Sequence, residues 1–157
     1  MKILTNIFIS LFYSGYFKFW PGTFASLVSI LILFPIFNFN LVSLFVMILI
    51  FIILFILSLF FIKNYSLYTN SHDSGVIVID EFLGIYLIFF FYELIYVSNN
   101  FFTLFLIFVL FRFFDITKIY PANVIDKKMK NSFGVLLDDL IAAMYTIIVL
   151  YSVNVFI

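Results

Sequence analysis

The chain has no cysteine and a single histidine, His72. Disulfides, thiolate zinc sites and cysteine nucleophiles are excluded together, and a histidine-rich zinc site is out of reach. Charge is equally scarce, with eight basic and eight acidic residues among 157 and a formal net charge of zero. There is no basic face for nucleic acid and no acidic tail. There is no internal repeat and no low-complexity linker. What remains is apolar: 66% of residues are hydrophobic and 10% charged, far outside the soluble range. Such a chain is an integral membrane protein of one domain's length, here residues 1–157. Any metal it holds must be bound by oxygen, which favours Mg²⁺, Mn²⁺ or Ca²⁺.

Five apolar runs are legible. Residues 41–62 are uncharged and closed by Lys63, long enough to cross a bilayer core. Residues 24–37 are shorter, and cross only with their flanks included or else re-enter. Residues 82–97 and 101–114 form a pair separated by Ser98-Asn99-Asn100, and residues 135–153 follow Asn131-Ser132, which suit a helix N-cap. Lys2 with an apolar stretch to Tyr13 resembles a signal peptide, but no small-residue cleavage site follows. An interfacial amphipathic start is expected instead.

Basic residues set a topology. Lys2 and Lys18 precede the first run, Lys63 follows the second, and Lys118, Lys127, Lys128 and Lys130 follow the fourth. The loops at residues 38–40 and 98–100 carry none. Five crossings with the N-terminus inside put every basic loop in the cytoplasm. The same topology gathers seven of the eight acids on that face, leaving only Glu93 near the outer end. The expected fold is an all-α, polytopic membrane bundle of about four to five embedded helices, with the site at the cytoplasmic face.

A carboxylate or Arg at mid-membrane costs about 2.5–3.5 kcal/mol, so charge set against apolar runs marks a site. Arg112, Asp115 and Lys118 are spaced by threes and share a helix face, and Pro121 should end that helix by disfavouring helical geometry at Tyr120. Arg112 and Lys118 have a plain alternative as cations snorkelling to headgroups; Asp115 gains nothing that way. Asp138-Asp139 is a carboxylate pair inside an apolar helix, a repulsive arrangement that a divalent cation resolves. Asp80-Glu81 repeats it after the strand-like stretch at residues 76–79. Charge complementarity at a helix N-terminus explains either pair alone, but two pairs with Asp115 on one face favour a metal site. Mg²⁺ is usually held by one or two carboxylates plus substrate phosphate oxygens, and nearby Lys and Arg orient a phosphate. Together these point to a phosphorylated lipid headgroup. Gly84, one turn after Glu81, permits close helix approach. Pro21-Gly22-Thr23, with Ser26 a turn later, reads equally as a helix-entry turn. His72 is either an acid for a leaving group or a solvated loop histidine.

These motifs, in this order, resemble the phosphatidylglycerophosphatase A family of bacterial membrane lipid phosphatases. The resemblance rests on Pro21-Gly22-Thr23 with Ser26, on His72-Asp73 leading to Ile79-Asp80-Glu81-Phe82-Leu83-Gly84, on Phe111-Arg112 with Asp115 and Lys118, and on Gly134 with Asp138-Asp139. Pro121 and Asp126 also fall where the family has a Pro and an Asp. The chain departs from the family at Ile119, where a Pro is usual, at Asn123 and Val124, where a basic residue is often found, and in a turn that keeps only Gly134; Lys127, Lys128 or Lys130 stand ready to replace the missing base.

The resemblance implies Mg²⁺-dependent hydrolysis of phosphatidylglycerophosphate to phosphatidylglycerol at the bacterial cytoplasmic (inner) membrane. The expected metal ligands are Asp80, Glu81, Asp138 and Asp139, with Lys118, Arg112 and Thr23 on the substrate phosphate. Asp115 is either a further ligand or the group that activates the nucleophile. The rival from another class is a small cation-coupled transporter or channel subunit, which predicts acids near the midplane on broken helices. A CDP-alcohol phosphotransferase also uses helix-borne Asp and Mg²⁺, but its characteristic Asp, Gly, Ala and Arg run is missing.

Overall fold

The computed structural model describes residues 2–69 and 74–156. His72 and Asp73 lie outside the described residues. The elements are α1 (Lys2–Ile9), a 3₁₀ turn (Ser14–Tyr16), α2 (Pro21–Asn38), α3 (Leu44–Thr69), α4 (Ile79–Phe89), α5 (Tyr92–Ile95), α6 (Asn100–Thr117), α7 (Ala122–Lys128) and α8 (Ser132–Phe156). No strand occurs among the described residues. The strand-like stretch at residues 76–79 is instead a turn running into α4, tied to α1 by a single bond from Val78 N–H to Ile9 O (2.9 Å). β-branched residues favour strands only where a ladder partner exists, and none is offered here.

Four helices, α2, α3, α6 and α8, are long and apolar enough to cross a membrane. α2 begins at Pro21 and ends at Asn38, so the short run at 24–37 reaches 18 residues by recruiting its flanks. At 1.5 Å per residue that is about 27 Å, close to the hydrocarbon thickness. α3 carries Leu44, Phe45, Ile53, Ile56 and Phe60 exposed on its surface, an apolar area that water does not tolerate.

The third predicted run does not form one helix. α4 stops at Phe89 and α5 restarts at Tyr92. α4 lies at the centre of the bundle, packed on α8 and α2, with nine of its eleven residues buried. A continuous helix through Phe89-Phe90-Phe91-Tyr92 spreads four large rings around its circumference. The break lets Phe89 and Tyr92 stack inward (centroids 5.5 Å apart) while Phe91 turns outward. Backbone groups near the break find side-chain partners, as an apolar environment requires: Asn154 Nδ2 donates to Leu94 O (2.8 Å), and Thr103 Oγ1 accepts from Val97 N–H (3.1 Å).

Contacts along the legs give the direction of each. Gly84 approaches Asp139 while Leu94 meets Asn154, so α4–α5 runs parallel to α8. Gly22 meets Arg112 and Asn38 meets Asn100, so α2 and α6 are antiparallel. The starts of α2, α4 and α8 therefore share one end of the bundle with the close of α6. α1 packs on α3, with Phe8 against Phe61 (centroids 4.7 Å apart) and Lys2 over the Tyr68 ring.

Candidate active site

A cavity of about 1030 Å³ opens at that shared end. Its lining includes every site residue expected from the sequence: Thr23, Asp80, Glu81, Arg112, Asp115, Lys118, Asp138 and Asp139. Glu93 is at the opposite end, on the edge of a second cavity of about 670 Å³ beside Asn38 and Asn100.

Asp80 and Glu81 occupy the first turn of α4, where the helix dipole favours anions. That explains a solvated pair but not a buried one. Glu81 is only 9% exposed and Asp139, from the second turn of α8, 5%. One carboxylate oxygen from each of Asp80, Glu81 and Asp139 lies within 4.8 Å of the others. Glu81 Oε2 is buried and has no hydrogen-bond partner among the described residues.

Asp138 does not join this group. Its Oδ2 receives a hydrogen bond from Lys118 Nζ (2.7 Å), and Lys118 also donates to Asp126. Successive helix positions point about 100° apart, so the adjacent carboxylates face different partners. Burial works against the charged amine of Lys118, but the hydrogen bonds and charges of Asp126 and Asp138 outweigh it and raise its pKa above the ordinary value of 10.5. The chain turn matters here. α6 ends at Thr117, and Lys118 takes a left-handed conformation (φ 44°) with its N–H on Phe114 O. The helix thus ends before Pro121 could stop it, and Lys118 reaches back across the cavity.

Arg112 supplies the second positive group. Nη1 donates to Asp115 Oδ2 at 2.5 Å and stands 3.7 Å from Glu81 Oε1. Gly22 makes room for both: a Cβ built there would fall on Glu81 Oε1 and lie 3.0 Å from Arg112 Nη1. The turn at Pro21-Gly22-Thr23 is therefore a wall of the cavity as well as a helix entry. Ser26 turns away, its Oγ donating to Gly22 O (2.8 Å). Asn131 caps α8 through Gly134 N–H (2.9 Å), as its place before the run suggested.

A model of the family described as Phosphatidylglycerophosphatase A matches residues 7–154. The chain belongs to the phosphatidylglycerophosphatase A family. Phosphatidylglycerophosphatase A of Haemophilus influenzae is 34% identical over 100 residues, which cover 64% of this chain and 59% of that protein. The chain thus spans about three fifths of the length of the curated relative it matches. No solved structure matches. Family membership and the four apolar helices together make this a membrane protein.

Within this phosphatidylglycerophosphatase A fold, Lys127 and Lys130 line the cavity rim and Lys128 does not. Sequence reasoning left Asp126 without a role; its signal was an acid beyond the Pro121 turn, within reach of Lys118. Trp20, Ser74 and Gly75 also line the cavity. Ser74 and Gly75 carry no sequence signal of their own, whereas Trp20 is the chain's single tryptophan and sits directly before the Pro21 turn.

Proposed function

We propose that this chain removes the terminal phosphate of phosphatidylglycerophosphate, leaving phosphatidylglycerol and inorganic phosphate, with Mg²⁺ held by Asp80, Glu81 and Asp139. The observation that carries the reading is the convergence of those three buried carboxylates within 4.8 Å in a cavity that Arg112 and Lys118 also line. Among the described residues such a cluster is short of positive charge, with Arg112 as the cation paired with it, and Glu81 Oε2 is left without a partner. A hard divalent cation fits it. Asp80, Glu81 and Asp139 each offer it a carboxylate oxygen, the hard donor that Mg²⁺ takes. Held there, Mg²⁺ would supply polarisation of the phosphoryl group and a lowered pKa for a water.

The chain's own groups do the rest. Arg112, held by Asp115, and Lys118, held by Asp126 and Asp138, face the phosphate oxygens and stabilise charge as it spreads over them. Thr23 and the free amides of the first turn of α2 add donors at a helix N-terminus. Water oxygen forms the new bond to phosphorus, and the bond from phosphorus to the glycerol oxygen breaks. Asp115 takes the proton from water and returns it to the departing glycerol oxygen. The lysines at this end support a cytoplasmic orientation of the site at a bacterial inner membrane, the side that the positive-inside rule favours. A transporter reading would want the acids near mid-membrane; they crowd one end instead.

The test is phosphate release from phosphatidylglycerophosphate in detergent micelles, with Mg²⁺ and with EDTA, for the wild type and Asp139→Asn. The expected result is release that needs Mg²⁺ and is lost in a variant whose thermal unfolding is intact. A folded wild type that releases nothing from this lipid sinks the reading, and release undiminished by EDTA removes the metal from it.

A further inference from the structure

Resting on that reading of the site, we infer that the substrate's acyl chains leave the cavity sideways, between Trp20 at the start of α2 and Ile116 near the end of α6, so that the lipid is engaged without leaving the bilayer. The cavity rim has two characters. Lys127 and Lys130 form its charged side. Trp20 and Ile116 also line it, yet they are large, apolar, and 80% and 69% exposed. A cavity meant for a free phosphate or a soluble phosphoester gains nothing from an apolar jamb beside its polar floor. A phosphorylated diacyl lipid needs both.

The two jambs flank one helix contact. Gly22 meets Arg112, Trp20 stands two residues before Gly22, and Ile116 follows Arg112 by one helical turn on the same face. One turn deeper along each helix, Phe24 and Phe113 are exposed as well, so the apolar surface continues from the rim toward the bilayer interior. Trp20 holds a left-handed backbone (φ 51°) just ahead of Pro21, a conformation unusual for a bulky residue and found where structure enforces it at working sites. The arrangement gives a path for two hydrocarbon chains while the headgroup phosphate faces Arg112 and Lys118.

Trp20 is the only tryptophan, so intrinsic emission reports this position alone. The wild-type chain would be placed in phosphatidylcholine vesicles containing either of two lipids brominated on the acyl chains near the glycerol. One is phosphatidylglycerol; the other carries in addition a terminal phosphonate that hydrolysis cannot cleave. Quenching at an about tenfold lower mole fraction of the phosphonate lipid is expected, matching a tenfold tighter engagement. Equal quenching by both means that Trp20 meets only bulk lipid and overturns the proposal.

A kinetic arm separates the lipid from its headgroup. Trp20→Ala and Ile116→Asn should lower kcat/KM for the diacyl substrate relative to the water-soluble deacylated headgroup by about tenfold or more, the scale of one lost apolar contact. Phe101→Ala, exposed at the other end of the bundle, should leave that ratio unchanged. An equal fall for both substrates overturns the lateral path. A wild type that hydrolyses neither substrate removes the phosphatase reading, while the quenching comparison still decides the path.

Discussion

Lys118 Nζ lies 2.7 Å from Asp138 Oδ2, whereas Asp139, the next residue, faces Asp80 and Glu81. Two carboxylates that look equivalent in the sequence thus have different partners. Asp139→Asn should lower activity about a thousandfold, the scale of losing a metal's several kcal/mol of charge stabilisation. Asp138→Asn should cost about 10–100-fold, the usual scale for a supporting partner. Steady-state kinetics across a Mg²⁺ titration separates the two. Equal losses with equal shifts in Mg²⁺ requirement would show that both acids ligate.

Gly22 tests the wall of the cavity. Gly22→Ala puts a methyl where Glu81 Oε1 sits, and Glu81 can give way only by disturbing the acidic cluster or Arg112. Activity should fall by a larger factor than stability, since overpacking costs about 1–3 kcal/mol. Kinetics and thermal unfolding on the same preparation check this. A fully active Gly22→Ala variant would mean that Glu81 need not hold its position.

Gly84 tests the bundle centre. A Cβ there would stand 2.7 Å from Phe111 Cε2 and 3.2 Å from Asp139 O. Gly84→Ala should destabilise by about 1–3 kcal/mol, and Phe111→Leu in the same chain should recover part of it. The four-way comparison of unfolding midpoints measures that coupling. Simple additivity would show that Phe111 is not what the methyl meets.

Lys118 sets a pH expectation. Its folded pKa is raised above the ordinary 10.5, so its stabilising contribution is fully present below that value and is lost as pH rises through the higher folded one. The stability gap between wild type and Lys118→Met should therefore be flat over roughly pH 6 to 9. Its size should be about 1–3 kcal/mol, because the substitution strips Asp138 of a partner. A gap that closes within this window would mean that Lys118 is not held by Asp126 and Asp138.

The sequence by itself determined the membrane class and the long apolar helices, and it singled out the charged residues that line the cavity, because each follows from local composition. Residues 41–62 can do little but form an apolar helix, and charges abutting such runs have few innocent explanations. Asn131 was legible as a cap for the same local reason. The tertiary structure decided what depends on several elements at once. It broke the run at 82–97 into α4 and α5, because the buried rings of Phe89 and Tyr92 must be placed against neighbours that one segment does not specify. It divided Asp138 from Asp139, since a side chain's partner depends on which helix faces it. It also gave Lys118 its left-handed turn, joined Asp126 to Lys118, and brought Trp20 and Ile116, nearly a hundred residues apart in the chain, to one cavity.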